Sequence, residues 1–482
     1  MVSVEESTLV FVISSNAMSE FMKQKKWVLL PFLFLLFYIY SLSISPYGVD
    51  HGYYVSVSKC LAEGMIPWKD FQLIYTPLGM YFMAIPYMVG GLGLSSAWAQ
   101  AVFFLFIVGT AVLVYYILSE FDLKNSTKWL SVLFYLMLYY SSDTLSVELE
   151  PFAVFWCLLG VLFLLKFNKQ EKGTLYLYGA GLCATLSFLS KQYGVIILLV
   201  YICMLLLGKR KRIMNIGILC SSSLISVLVY YVWMGWIVND FSFYQDLMGN
   251  DYPSRWQTFF SWGVKFFFLK SCVFIVILPV VYSKLSSVKK RMVLISIVGI
   301  LLFSLQFYVR QYSHYCLFMY PFVVFIFAFV WDSITYKLSY LFPIGNICCV
   351  LILCHLDYAR TERGQIKLIQ QSLYKEISKQ LPAPTKTIVG IKECLQGPQI
   401  FSEVENVKPV NYLCNKFGFD STEYPERVLK LFPDAECMIV DDDYLSWVYQ
   451  LDSIQVSKQL QRMSLVTTIY PYKIKIYKTV RK

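Results

Sequence analysis

From residue 27 to residue 356 one apolar stretch follows another, and short basic clusters punctuate the series. A helix rises ~1.5 Å per residue against a membrane hydrocarbon core of roughly 30 Å, so the longer stretches reach across it. No single soluble core would bury so much apolar surface. Of the 482 residues, 57% are hydrophobic and 15% charged, and the mean hydropathy is +0.56. The chain therefore reads as a polytopic α-helical membrane protein. Its net charge of +11 does not point to nucleic acid, because the lysines and arginines lie between apolar segments, as the positive-inside pattern requires. The thirteen cysteines show no CxxC spacing, and most fall inside apolar segments as packing residues.

Charge parity orders the segments. Residues 1–26 end in Lys23, Lys25 and Lys26 and are expected in the cytoplasm, with Met18 as an alternative start. Residues 27–44 are followed by no small-residue cleavage site and read as an anchor, which puts the loop over 45–95 outside. Further spans are expected near 96–118, 129–141, 152–166, 174–190, 192–208, 213–237, 264–283, 292–309, 315–331 and 338–356, about eleven transmembrane helices in all. The segment 77–92, with Pro77, Pro86 and Gly90-Gly91, is expected to stay at the outer surface as a juxtamembrane element. If it crossed, the clusters Lys124/Lys128, Lys166/Lys169/Lys172, Lys209 to Arg212 and Lys284 to Arg291 would all be exported.

Beyond residue 356 the composition turns soluble. Residues 357–482 are expected to form a small extracytoplasmic α/β domain: TERGQIKLIQQSLYKEISKQL has helical spacing, TKTIVGI and AECMIV read as strands, and SLVTTIYPYKIKIYKT reads as a hairpin. Cys394, Cys414 and Cys437 lie there, which allows one disulfide of undetermined pairing.

The same parity gathers charges on the outer face: Asp50, His51, Asp70, Asp143, Glu148, Glu150, Lys191, Asp240 to Arg255, and the run from Arg310 to Tyr315. Lys191 stands alone in SFLSKQYGVIILL, where a charge at mid-membrane costs ~2.5–3.5 kcal/mol, so an anionic partner is expected. Carboxylates opposed by Lys, Arg and His at a membrane surface suit transfer from a lipid phosphate. The acid takes a proton from an incoming hydroxyl, and the cations stabilise the phosphate that leaves. Simpler roles exist as well. Asp50 suits a cap for a helix starting at Gly52, Glu150 before Pro151 suits a helix dipole, and Arg310 and His314 suit the ends of spans. Asp143, Glu148 and Asp441-Asp442-Asp443 read as solvated loop charges.

The first outer loop, VDHGYY followed by LAEGMIPWKDF and YTPL, resembles the signature of the GT-C glycosyltransferases, in particular the group that holds protein O-mannosyltransferases and bacterial aminoarabinose transferases. SVELEPFAVFW, LSFLSKQYG and RQYSHYCLFMYP resemble later motifs of that group, in the same order. The resemblance implies a polyprenyl-phosphate-linked sugar donor, a glycan, lipid or protein acceptor, and inversion at the sugar carbon. It makes Asp50 the general base, and Glu150 a second acid that holds donor or a divalent cation, with His51 and Asp70 as further candidates. Lys191, Arg310, His314 and Tyr315 become donor phosphate or sugar contacts. The chain departs from the group in having Asp50-His51 for Asp-Glu and Tyr75-Thr76-Pro77 for Lys-Pro-Pro, which removes a usual phosphate ligand. No Asn-x-Ser/Thr sequon falls in the segments placed outside, in keeping with a bacterial inner membrane. A lipid-linked sugar flippase and a non-catalytic envelope assembly subunit are the competing readings. The absence of an inverted repeat and the gathering of charge at one face weigh against a transporter.

Overall fold

The computed structural model describes residues 15–45, 49–71, 73, 75–91, 95–140, 145–169, 173–208, 212–239, 278–306, 313–334, 363–381, 383–390, 400, 403–404, 407–409, 434–470 and 473–480. Arg310, Asp143, the segment 240–255, Cys394, Cys414 and the expected span 338–356 lie outside these, as does most of 264–283.

The membrane part is a set of helices: α1 (Ser15–Ile44), α2 (Val49–Ala62), α3 (Leu78–Gly90), α4 (Ala97–Ser119), α5 (Asn125–Tyr139), α6 (Glu150–Lys169), α7 (Thr174–Ser190), α8 (Ile197–Leu206), α9 (Arg212–Val238), α10 (Ser287–Ser304) and α11 (Tyr320–Ser333). Among the described residues three helices, α4, α6 and α9, are long and apolar enough to cross a membrane. The apolar parts of α1, α3, α7, α8 and α11 are shorter. The 13 residues of α3 extend about 20 Å, too short for a hydrocarbon core of roughly 30 Å.

Helix α9 exposes Leu224, Ile225, Leu228, Val229, Val232 and Trp233, an apolar surface that suits lipid and not water. Helix α11 differs, since every residue from Tyr320 to Trp331 is buried, as is typical of a helix at the centre of a bundle. At one end of the bundle Lys289 of α10 donates to Asp332 of α11 at 2.9 Å. The Lys124 backbone N–H and the Thr127 hydroxyl approach the other oxygen of the same carboxylate.

Helix α2 is buried almost all round, with Tyr53, Tyr54, Val55 and Val57 fully enclosed. Two of its smaller polar side chains are satisfied within the helix: the Ser58 hydroxyl donates to the Tyr54 carbonyl at 2.7 Å, and the Cys60 thiol to the Ser56 carbonyl at 3.1 Å. The helix stops at Gly64, whose φ of 82° allows Gly64 N–H to reach the Leu61 carbonyl and Met65 N–H the Cys60 carbonyl. That pairing is a Schellman motif, and glycine supplies its left-handed residue without strain.

The C-terminal residues build a five-stranded sheet from β1 (Thr385–Gly390), β2 (Val407–Pro409), β3 (Cys437–Val440), β4 (Met463–Ile469) and β5 (Ile474–Thr479), in the order β2-β1-β3-β5-β4. Strands β1, β2 and β3 run parallel, while β5 pairs antiparallel with both β3 and β4. All four residues of β3 are buried because both faces of the sheet are covered. Cys437 and Ile439 meet Leu373 and Ile377 of α12 (Arg363–Gln380). Met438 and Val440 meet Leu445 of α13 (Asp442–Leu451) and Val456 of α14 (Ser453–Gln461). Burial pushes the Cys437 thiol up to about 11. Asp442 and Asp443 are exposed, but they open α13 instead of lying in a loop, and Asp442 accepts from Lys475.

Candidate active site

Four stretches of chain bring charge to one place. Asp50 sits in the first turn of α2, which begins at Val49, so it lies inside the helix and does not cap one starting at Gly52. Glu148 lies two residues before Glu150, the first residue of α6. Lys191 interrupts the path from α7 to α8, and His314 is the second residue of a short 3-10 turn, Ser313–Phe318, ahead of α11.

The break at Lys191 is local chemistry. Its φ and ψ of −155° and 132° end α7, and its N–H still reaches the Ser187 carbonyl at 3.0 Å. A 3-10 turn over Gln192–Ile196 then leads into α8, with Gly194 N–H on the Lys191 carbonyl at 2.8 Å. Gly194 packs so close to α7 that a Cβ there would overlap the Ser187 carbonyl.

Lys191 Nζ lies 3.0 Å from Glu150 Oε1, and these side chains are 2% and 0% exposed. This is the anionic partner that so buried an ammonium requires. His314 Nε2 stands 3.8 Å from the same oxygen. The Lys191 ammonium also faces the rings of Tyr75, Tyr54 and Tyr315 at 4.6, 6.0 and 6.0 Å from their centroids, within reach of cation–π attraction. Burial works against its charge, but Glu150, with Tyr75 and Glu148 behind it, outweighs burial and holds Lys191 above the ordinary lysine range. Burial, reinforced by Tyr75 and the two glutamates, likewise keeps the Tyr54 phenol well above its ordinary value, so it remains a proton donor. Tyr315 is buried, edge-on to His314 at 4.7 Å and to Tyr193 at 5.1 Å.

On the other side of His314, Asp50, Glu148 and His314 each offer one ligand atom, all within 4.8 Å of one another. Ligands of one divalent cation at ~2.0–2.2 Å stand at most about 4.4 Å apart, so a shift of a few tenths of an ångström would close the set. Two carboxylates and an imidazole suit Mn²⁺ or Zn²⁺. The surroundings fit a positive guest: Asp50, Glu148 and Glu150 are buried together, and among the described residues the Lys191 ammonium answers them, with His314 adding a charge only when protonated. The fully buried Tyr54 hydroxyl, beside the two glutamates, has no hydrogen-bond partner among the described residues, and a polar guest would satisfy it.

The structure thus brings Asp50, Glu150, Lys191, His314 and Tyr315 together. His51 is fully buried in the first turn of α2 but lies outside the metal-capable group. Asp70 does not join the cluster; it is exposed, and its Oδ2 accepts the Ile66 N–H at 2.7 Å, closing the turn after α2. Glu148, expected as a solvated loop charge, is 5% exposed and belongs to the site. Its spacing from Glu150 was the available signal, because in extended chain residues i and i+2 point the same way.

The sequence matches no protein-family model and no curated protein. Its structure is similar to that of ArnT from Cupriavidus metallidurans bound to undecaprenyl phosphate, with a TM-score of 0.64 at 13% identity over 95% of this chain and 98% of that one. The apo state of that protein matches with a TM-score of 0.62 at 13% identity, over 94% and 97%. The apo oligosaccharyltransferase of Archaeoglobus fulgidus matches with a TM-score of 0.52 at 12% identity, over 86% of this chain and 69% of that one. At such identities the likeness is one of fold: the chain shares the GT-C fold of these proteins, the fold that the motifs of the first outer loop resemble.

Proposed function

We propose that this chain is an integral-membrane glycosyltransferase. It moves a sugar, with inversion, from a polyprenyl-phosphate donor to an acceptor hydroxyl at the outer face of a bacterial inner membrane. One observation carries the reading: Asp50, Glu148, Glu150, Lys191 and His314 meet at one end of a bundle of apolar helices, in a fold shared with a protein solved with undecaprenyl phosphate. A lipid-tailed donor presents its phosphate at that depth, whereas a transporter would hold its charges near the midplane.

In this reading Asp50 accepts the proton of the acceptor hydroxyl as its oxygen attacks the anomeric carbon. The new C–O bond forms on the face opposite the bond to phosphate, and the electron pair of that bond leaves with the phosphate. No strong general acid is needed, because a phosphate ester is already a good leaving group. Catalysis then rests on alignment and on positive charge where the phosphate gains negative charge. His314 supplies such a charge when it is protonated and holds no cation, and Arg310 is assigned the same role from sequence. Lys191 lends its field from behind Glu150. The group's lysine is missing at position 75, and here the Lys191 ammonium lies over the Tyr75 ring, 4.6 Å from its centroid. Asp50, Glu148 and His314 would hold a divalent cation, whose chemistry is to polarise and steady phosphate oxygens.

The test compares lipids and glycans by mass spectrometry from cells with wild-type protein, no protein, or Asp50→Asn at matched membrane levels. The expected result is that Asp50→Asn matches the deletion, both lacking one sugar-sized addition and accumulating a polyprenyl-phosphate sugar. A variant indistinguishable from wild type would make Asp50 a structural residue and overturn the mechanism.

A further inference from the structure

Helix α6 has chemistry at both ends. Glu150 opens it in the candidate active site, and Lys169 closes it nineteen residues later, about 28 Å away along a straight helix. That distance is the thickness of a membrane hydrocarbon core, so the two ends lie at opposite headgroup levels. At the Lys169 end the helices enclose a cavity of about 450 Å³.

Its rim is basic. Lys169 Nζ lies 2.7 Å from Glu120 Oε2, so Glu120 answers that charge. Arg291 lines the cavity from α10 and approaches the Leu207 carbonyl at 3.5 Å through one of its five N–H donors. Arg212 of α9 donates to the carbonyl of Gly208, another lining residue, at 3.1 Å. Among the described residues neither arginine has a carboxylate partner. The rest of the lining is mostly apolar, formed in part by Phe167, Met204 and Met292, with the amides of Asn168 and Asn215 set into it.

We infer that this cavity binds the headgroup of an anionic phospholipid on the membrane face opposite the candidate active site, with Arg291 on its phosphate. An unanswered guanidinium supplies bidentate recognition of a phosphate diester. The apolar wall suits the glycerol and first methylenes of a lipid, for which a free phosphate has no use. Basic pockets between membrane helices on the cytoplasmic side recognise anionic headgroups in this way.

The experiment is native mass spectrometry of the full chain released from nanodiscs of equal parts phosphatidylglycerol and phosphatidylcholine. Wild type is expected to retain a single phosphatidylglycerol at least tenfold more often than phosphatidylcholine. Arg291→Gln should bring the ratio close to one, Arg291→Lys should keep part of it, and Glu120→Gln should raise it. Met204→Trp, which fills the apolar wall, should lower retention even with Arg291 in place. Equal retention of the two lipids by wild type, or an unchanged ratio in Arg291→Gln, would overturn the proposal. So would displacement of the lipid by millimolar inorganic phosphate, which would identify a free-anion site. Because the readout is a lipid adduct and not turnover, the outcome is independent of whether sugar transfer occurs at Asp50.

Discussion

The ion pair of Lys191 with Glu150 is held by burial as much as by Coulomb attraction. With both side chains almost fully enclosed, removal of either leaves the other charged and desolvated, which costs about 3–5 kcal/mol, whereas replacing both with apolar groups costs far less. Glu150→Gln is therefore expected to lower the thermal midpoint in detergent sharply, and Glu150→Gln with Lys191→Met to recover most of the loss. A double variant as unstable as the single would show that the pair is not what stabilises this region. Lys191 was legible in the sequence because a lone lysine in an apolar stretch demands a partner. The partner's identity was not, since several carboxylates, Asp50, Asp70, Asp143, Glu148 and Glu150 among them, were predicted at the same face and only packing selects among them. Glu148 was misread for a related reason: a loop charge and a site charge look alike until the loop folds inward.

At the level of elements, the interruption between α7 and α8 is what aims Lys191. A continuous helix through this stretch would set the lysine at another angle, and the 3-10 turn depends on Gly194 lying against Ser187. Gly194→Ala has no room without moving backbone, so it is expected to displace Lys191 and reduce transfer activity about 100-fold, as misplacement near 1 Å does in other active sites. Single-turnover assays beside wild type would measure this, and unchanged rates would show that the turn tolerates a shift. Helical periodicity marked 174–190 and 192–208 as separate segments, but a one-residue break carries no pattern that reveals direction. In the C-terminal sheet the local signals sufficed: the hairpin of β4 and β5 and strands β1 and β3 lie where alternation and apolar runs put them.

For the molecule as a whole, the two charged ends of the bundle make the sidedness testable. Asp70 is exposed in the turn after α2, on the loop expected outside, and the Lys169 side chain is 58% exposed at the end of α6 away from Glu150. In a cysteine-free background, Asp70→Cys is expected to react with a membrane-impermeant maleimide on intact cells, and Lys169→Cys only after permeabilisation. The reverse order would invert the topology and with it the outer-face reading. Hydropathy and the spacing of basic clusters were enough to place Asp50, Glu150, Lys191 and His314 on a common face, because apolar length and loop charge act through the membrane and need no knowledge of packing. Which of those groups touch was decided by tertiary structure alone. Ligand atoms within 4.8 Å and an ion pair of 3.0 Å arise between side chains from distant parts of the chain, and only the packing of α2, α6, α7 and the turn before α11 determines those distances.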